Sequence, residues 1–224
     1  MAVSKTFPAS AIREAYNAGQ RLFGENRVQE FAAKFDEVKG LAGAEFHLIG
    51  HLQTNKAAKA VEIFGAVDSV DSLRLAEKLS AAVLSHPVAA NPAATRVGHP
   101  TDSAAATRVG HPLRILVEVN VGGEEQKTGV AAGEALELIE QVSRMEGLEV
   151  RGLMTVPPFS DDPESARPYF RRLRELRDQA GRQFPALRLE TLSMGMSHDF
   201  EVAIEEGSTC VRVGTAIFGV RPHA

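Results

Sequence analysis

The chain has 224 residues, of which 44% are hydrophobic, and its formal net charge is −4. This composition is ordinary for a globular protein, and the negative charge supplies no basic field that would attract nucleic acid or an anionic membrane. No apolar stretch reaches the length of a membrane span, and no signal peptide is visible. The single cysteine, Cys210, excludes an internal disulfide, so we expect an inert core thiol and a cytoplasmic protein.

Short apolar runs alternate with amphipathic segments, and this alternation predicts strands that alternate with helices. The first predicted strand is short and ends at Lys5. The remaining predicted strands are residues 22–24, 46–49, 66–69, 114–119, 148–153, 187–192 and 210–213. Eight strand–helix units indicate a parallel sheet, and eight is the number that closes a barrel. We therefore predict one α/β domain over residues 1–224, a (β/α)8 TIM barrel, with a doubly wound open sheet as the alternative.

One segment, residues 86–112, does not follow this alternation. The eight residues 93–100 return letter for letter as residues 105–112. The segment is rich in Ala, Pro, Thr and Gly, and it has too few large apolar residues to offset the entropy cost of ordering it. We predict a flexible insert. His99 and His111 have no cysteine or carboxylate ligand at a fixed spacing, so we expect no metal site.

Polar residues and glycines follow the predicted strands, at the rim where barrels bind their ligands. Lys5 ends the first strand, and Asn26 follows the second. The segments 194–197 and 214–215 follow strands seven and eight, where many barrels hold a phosphate group. Capping and turn formation alone would also explain these glycines and hydroxyls. Both segments together favour a phosphate site, with Gly195, Ser197, Gly214 and Thr215 as its candidate residues.

A lysine amine and a phosphate site together match pyridoxal 5′-phosphate (PLP), which carries both an aldehyde and a phosphate. A Schiff base requires a neutral amine, and a nearby cation lowers the pKa of a lysine. Arg212 alternates with two valines, so its side chain faces the barrel interior. It is either the partner of a buried ion pair or a group that faces the phosphate or the ring nitrogen.

Many segments of the chain carry a resemblance to one family. They are residues 3–6, 23–26, 47–53, 67–72, 118–120, 151–154, 194–197 and 211–219. With these segments in this order, the chain resembles the pyridoxal phosphate homeostasis proteins, the single-domain relatives of the alanine racemase barrel. The resemblance implies a fold-type III PLP barrel with Lys5 as the Schiff-base lysine. It also implies that Met194, Ser197, Gly214 and Thr215 hold the phosphate, and that Arg212 lies near the ring nitrogen. Asn26, in the segment 23–26, completes the set of expected cofactor-binding residues.

The family is regarded as a non-catalytic regulator of PLP, so we expect a monomer that binds PLP without turnover and supplies it to apo PLP-dependent enzymes. The alternative is an amino-acid racemase. That reaction needs a second base opposite the lysine, and the two tyrosines, Tyr16 and Tyr169, fall in helical patterns of the outer layer. No second base is therefore expected.

The sequence departs from the family pattern in two places. Only four residues precede Lys5, where the family has a helix and a longer first strand. A misassigned start codon and a less covered barrel floor are both open explanations. The insert at residues 86–112 is the second departure. It lies on the connection into strand five, away from the rim, so we expect little effect on binding.

Overall fold

The structure, a computed structural model, describes residues 1–85, 112–124 and 126–219. The predicted insert, with His99 and His111, lies outside the described residues except for Pro112. The strands are β1 (Ala2–Val3), β2 (Leu22–Glu25), β3 (Glu45–Leu48), β4 (Ala66–Val70), β5 (Leu113–Asn120), β6 (Val130–Ala131), β7 (Leu148–Met154), β8 (Thr191–Met196) and β9 (Cys210–Arg212). The helices are α1 (Ala9–Asn17), α2 (Val28–Val38), α3 (Ala57–Ile63), α4 (Leu73–Ser85), α5 (Ala135–Ser143), α6 (Arg167–Gln183), α7 (Phe200–Glu205) and α8 (Thr215–Phe218).

The strands form one parallel sheet in the order β1-β2-β3-β4-β5-β7-β8-β9, and the short β6 pairs with β5 outside this path. The two ends of the path meet, because Ala2 of β1 pairs with Val213, the residue after β9. The Val3 amide donates to the Val213 carbonyl at 2.8 Å, and the Val213 amide donates to the Met1 carbonyl at 3.0 Å. The predicted eight-stranded parallel barrel is confirmed, and the open sheet is wrong.

Helix α2 shows how the helices attach to the barrel. Val28, Phe31 and Val38 fall on one helical face and are buried. The Phe31 ring lies 4.8 Å from the Phe46 ring of β3 and 4.9 Å from the Phe64 ring after α3, measured between centroids. Burying a phenylalanine contributes about 2–3 kcal/mol to stability, so this one residue fixes α2 against two neighbouring units.

The seventh predicted strand is wrong in its position. It was expected at residues 187–192, whereas β8 spans Thr191–Met196. Leu187 instead belongs to a turn after α6, in which its amide donates to the Phe184 carbonyl at 2.9 Å. The leucines at positions 187 and 189 alternate with an arginine as they would in a strand, and this pattern led to the wrong prediction. As a consequence, Met194 lies inside β8 and not in the loop that follows it. The two-residue strand β6 was not predicted, because it is too short to show a period.

Helix α7, which follows β8, is held against helix α6 by a cluster of arginines. The carboxylate of Glu206 is buried, and it pairs with Arg167 at 3.2 Å and with Arg171 and Arg174 at 3.0 Å each. All three arginines belong to α6. These ion pairs lower the pKa of Glu206, with the hydrogen bond from Arg171 as the largest cause. The network therefore ties α7, and with it the loop after β8, to the longest helix of the outer layer described here.

Candidate functional site

Lys5 lies just beyond β1, at the carboxyl rim of the barrel, and is half-buried. The hydroxyl of the preceding Ser4 donates to the Glu25 carboxylate at 2.6 Å, on the side of the sheet that α2 covers. Lys5 itself opens the turn that follows this strand, and the Phe7 amide closes the turn on the Ser4 carbonyl at 3.1 Å.

The loops after β8 and β9 come into direct contact. The Gly214 amide donates to the Ser197 hydroxyl at 3.3 Å, which joins the last two rim loops. Gly214 precedes α8, and the first amides of any helix have no partner within the helix. Thr215 opens this helix with an exposed side chain. We call Ser197, Gly214 and Thr215 the rim cradle. It collects amide and hydroxyl donors suited to an anion.

The rim cradle lies beside the strand that carries Lys5. A Cβ atom built on Gly214 would stand 3.4 Å from the Val3 carbonyl oxygen. The rings of Phe7 and Phe218 stack with centroids 5.0 Å apart, and they connect the loop of Lys5 to α8. The structure thus brings the start and the end of the chain together at one part of the rim.

Gly195 controls the position of the rim cradle. Its φ of 90° lies in the left-handed region, and a Cβ atom there would meet the Ala203 Cβ of α7 at 2.5 Å.

We expect Gly195→Ala to lower the free energy of unfolding by at least about 2 kcal/mol, through backbone strain and overpacking. Denaturant unfolding measures the change. Gly181→Ala is the matched control, because Gly181 lies within α6 with no atom near its Cβ position. That variant is expected to gain roughly 0.5–1 kcal/mol, and an equal loss in both would contradict the packing argument.

Asn26 lies after β2 and is half-buried, and the loop after β3 presses against it. A Cβ atom on Gly50 would stand 2.2 Å from the Asn26 backbone oxygen and 2.6 Å from its Oδ1. Only glycine permits this approach. Ser69, at the end of β4, donates to the Gly50 carbonyl at 2.7 Å and holds the glycine in place.

Met194, predicted as a phosphate-binding residue, lies in β8 with its side chain fully buried in the hydrophobic core. Its carbonyl accepts a hydrogen bond from the Ser208 hydroxyl at 2.7 Å. Ser193, the preceding residue of β8, contacts Arg212 inside the barrel, and successive side chains of a strand point to opposite faces, so the Met194 side chain points toward the helices. The structure places Met194 next to the rim cradle only through the backbone.

Arg212 is buried inside the barrel and forms no ion pair with a carboxylate within 4 Å in the part of the chain described here. Its Nη1 donates to the Ser193 hydroxyl at 2.8 Å, and its Nη2 donates to the Thr155 carbonyl at 2.8 Å. Burial lowers the pKa of this guanidinium. A buried cation that contacts only neutral oxygens fits an electron-rich or anionic ligand.

Glu118 of β5 is a candidate site residue that the sequence analysis did not single out. Its side chain is buried, and one carboxylate oxygen accepts from the Thr128 hydroxyl at 2.7 Å. The other oxygen, Oε2, has no hydrogen-bond partner among the described residues. Burial is the main cause that raises the pKa of Glu118, and the charge of Asp71 adds to it. The bond from Thr128 and the charge of Arg212 oppose this rise. Glu118 therefore binds a proton more readily than an ordinary glutamate.

Replacing Glu118 with glutamine is expected to stabilise the fold by roughly 1 kcal/mol at neutral pH, because the amide removes a buried ionisable group and still accepts from Thr128. The pKa is raised in the folded state, so the folded protein retains a proton that the unfolded chain releases. The cost of Glu118 therefore grows as pH rises above its ordinary pKa of 4.5. Urea unfolding of both proteins at pH 4 and pH 8 measures it. A gain that is larger at pH 4 would contradict this account.

A second charged cluster lies deeper in the barrel. His47 of β3 contacts Asp68 of β4 through Nδ1 at 3.1 Å, and its Nε2 lies 3.5 Å from the Glu45 carboxylate. Arg114 of β5 pairs with the same Glu45 at 3.0 Å. The close approach of His47 is the largest cause that lowers the pKa of Glu45 to about 2. We call these four residues the floor cluster.

Among residues 1–85, 112–124 and 126–219, no group of three His, Cys, Asp or Glu side chains could hold a metal ion. The same residues contain no helix that is long and apolar enough to span a membrane. The two tyrosines lie on helices of the outer layer, Tyr16 on α1 and Tyr169 on α6. The Tyr16 hydroxyl donates to the Ala42 carbonyl at 2.8 Å.

The fold and the arrangement of the rim define the class of the protein. It is a parallel (β/α)8 barrel with its candidate site at the carboxyl ends of the strands, between β1, β8 and β9. The family model described as "Alanine racemase, N-terminal domain" matches residues 1–222.

Within this class, the chain belongs to the family of the pyridoxal phosphate homeostasis proteins. It is 43% identical to the protein of that name from Aquifex aeolicus over 100% of this chain and 87% of the relative. For the protein of that name from Escherichia coli K12 the identity is 40%, over 100% of this chain and 86% of the relative. The predicted family is confirmed.

Solved structures agree with this assignment. The structure of PipY from Synechococcus elongatus, a COG0325 family member with PLP bound, has a TM-score of 0.80 and 37% identity, covering 98% of this chain and 91% of that chain. Alanine racemase from Clostridium difficile has a TM-score of 0.72 and 13% identity, covering 99% of this chain and 52% of that chain. At that identity the racemase shares the fold, and its reaction carries no argument for this chain.

Proposed function

We propose that this protein binds PLP at the carboxyl rim of the barrel and takes part in PLP homeostasis. The structure of PipY has PLP bound, and PLP homeostasis is the role in the names of the relatives. One observation carries the proposal. The amide–hydroxyl contact between Gly214 and Ser197 joins the last two rim loops beside the strand that delivers Lys5. A small molecule that carries both an anionic group and an aldehyde would fit this arrangement, with the anion at the rim cradle and the aldehyde at the Lys5 amine.

Each candidate residue has a chemical role in this proposal. The phosphate would take hydrogen bonds from Ser197, Gly214 and Thr215, which carry hydroxyls and backbone amides. Met194 would contribute through its backbone alone, because its side chain is in the core. Arg212, which lacks a carboxylate partner among the described residues, would face the ring nitrogen.

Two further residues would act next to the aldehyde. Lys5 would hold the cofactor through its neutral Nζ amine: a C=N bond to Nζ would replace the C=O bond of the aldehyde, and the two amine hydrogens would leave with the oxygen as water. Asn26, held by the close approach of Gly50, would offer its amide group to the bound molecule.

Bound PLP supplies an electron sink for reactions at the carbon next to an amino group. An arginine at the ring nitrogen disfavours ring protonation and weakens that sink. The two tyrosines of the chain lie on outer helices, so neither is placed to act as a second base. We therefore propose a carrier without turnover, which acts as a monomer in the cytoplasm and supplies PLP to apo-enzymes. An alanine racemisation assay tests this point: turnover above that of free PLP would contradict it.

Equilibrium dialysis with PLP and with pyridoxal, which lacks the phosphate, tests the proposed site. We expect tight binding of PLP and weak binding of pyridoxal. Ser197→Ala is expected to weaken PLP binding and to leave pyridoxal binding unchanged, because it removes a hydroxyl of the rim cradle. Ser80→Ala is the control, since its hydroxyl lies on α4 and donates to the Glu146 carbonyl at 2.8 Å, outside the proposed site. Equal affinities of the wild-type protein for the two compounds would refute a phosphate site.

A further inference from the structure

The turn that carries Lys5 has an unusual backbone. Thr6 has a φ of 68°, in the left-handed region that favours glycine. The Phe7 amide donates to the Ser4 carbonyl at 3.1 Å and closes the turn. Such a conformation costs about 1 kcal/mol or more, and it persists only where the surroundings impose it.

A second lysine, Lys34, stabilises this turn through hydrogen bonds to two of its carbonyls. Lys34 of α2 donates from Nζ to the Ser4 carbonyl at 3.0 Å and to the Phe7 carbonyl at 2.9 Å. The same ammonium lies 2.8 Å from the Glu25 carboxylate. An ammonium has three donors, and these three acceptors account for all of them. The two carbonyls belong to residues before and after Lys5, so the ammonium contacts the turn on both sides of that residue.

The burial of this pair is difficult to explain by stability. The side chain of Lys34 is 11% exposed and that of Glu25 is 0% exposed. Position 34 lies on the apolar face of α2 with Phe31 and Val38, where a hydrophobic residue would pack without loss of hydration. Buried ion pairs are frequently no more stabilising than hydrophobic replacements, because both charges lose their hydration. Burial is also the largest cause that raises the pKa of Glu25, although Lys34 opposes it.

We propose that Lys34 is a positioning residue for Lys5: its ammonium, held by Glu25, fixes the two carbonyls of the turn and thereby aims the Lys5 amine into the mouth of the barrel. The inference rests on the proposed function, because PLP is the molecule that the amine meets. Lys34 itself takes no part in the covalent step. Its effect is on the geometry of the approach, which controls the rate at which an amine and an aldehyde combine.

The test compares capture rates in two variants. Lys34→Met removes the donors and retains a long side chain. The double variant Lys34→Met/Glu25→Gln also removes the buried carboxylate, and the glutamine still accepts from Ser4. Lys59→Met is the matched control, since Lys59 is an exposed helical lysine paired with Glu62. Stopped-flow absorbance after mixing with PLP gives the rate constant of capture, and thermal unfolding gives the stability of each protein.

We expect the capture rate constant to fall roughly ten- to hundredfold in both variants and to remain unchanged in the control. The double variant is expected to unfold near the wild-type temperature. A merely structural role would lower that temperature and leave capture by the folded protein unchanged, and this result would overturn the inference. So would a folded double variant that captures PLP at the wild-type rate.

Two readouts separate this inference from the proposed function. A wild-type protein that captures no PLP would refute the proposed function by itself. Amide hydrogen exchange of residues 4–7 tests the contacts of Lys34 with the turn without any cofactor. We expect these amides to lose protection in both Lys34 variants and to keep it in Lys59→Met. Unchanged protection would refute the role of Lys34 whether or not PLP binds.

Discussion

Replacing Lys5 with alanine is expected to abolish covalent capture of PLP and to leave the fold intact. The side chain lies beyond β1 and is half-buried, so its loss removes little core packing. The amine is the group that would bond to the aldehyde, and no other residue of the rim is proposed to replace it. Spectroscopic titration with PLP should therefore show the visible band of bound cofactor in the wild-type protein and none in Lys5→Ala.

The control for Lys5→Ala is Lys59→Ala, which removes an exposed amine of α3. It is expected to titrate like the wild-type protein. The rim cradle remains in Lys5→Ala, so inorganic phosphate should still compete with PLP for noncovalent binding. A Lys5→Ala protein with the full visible band would show that another amine captures the aldehyde.

The floor cluster is expected to make stability depend strongly on pH. Burial opposes the charged form of His47, but the charge of Asp68, its hydrogen bond and the nearby Glu45 carboxylate together outweigh it and raise the pKa to about 9. The ordinary value is 6.5. The folded state therefore binds the proton more tightly than the unfolded chain.

The sign of this effect is fixed by the direction of the shift. A raised pKa contributes stability that is fully present below pH 6.5 and is lost as pH rises to about 9. The full difference corresponds to about 3 kcal/mol, and the His47 side chain is 14% exposed, so solvent screens it little. Urea unfolding at pH 6 and pH 9.5 measures the loss.

The matched variant for this effect is His47→Gln/Asp68→Asn, which keeps polar groups and removes both charges. Its stability should decline by about 3 kcal/mol less than that of the wild type over the same pH range. His51→Gln is the control, because that imidazole is 53% exposed and lies 3.5 Å from Asp71. If the double variant and the wild type decline equally, the floor cluster does not hold the proton.

The barrel and the rim cradle were predictable for a local reason. Strand ends follow from short apolar runs, and glycines and hydroxyls mark the loops that follow them. Ser197 and Gly214 could thus be assigned to neighbouring loops without coordinates. The hydrogen bond between them depends on the closure of the barrel, and the sequence indicates closure only through the count of eight units.

Apart from Arg212, whose alternation with two valines indicated burial, the buried charges were not predictable, because their partners are distant in the chain. His47 and Asp68 belong to adjacent strands, and Lys34 reaches the carbonyl of Ser4, 30 residues before it. Glu118 is a single polar residue between two valines of its strand, and this pattern does not indicate a buried carboxylate. A lysine on the apolar face of α2 was the one local signal, since position 34 breaks the hydrophobic pattern.

The predicted position of β8 was wrong because a leucine-rich stretch lies directly before the strand and overlaps it. The segment 187–192 alternates like a strand, but its first residues close the turn after α6. The true strand, Thr191–Met196, contains Gly195 and two methionines and has a weaker strand pattern. The pairing of Met154 with Ser193 decides between the two stretches, and that pairing is long-range.

Borohydride reduction of the wild-type protein mixed with PLP, followed by mass mapping of its peptides, tests the central claim most directly. Reduction fixes the cofactor to whichever amine has captured it. We predict a pyridoxyl-phosphate label on Lys5, within the amino-terminal peptide, and on no other residue in stoichiometric amount. A label on a different lysine, such as Lys34, or a protein that carries no label would contradict the account.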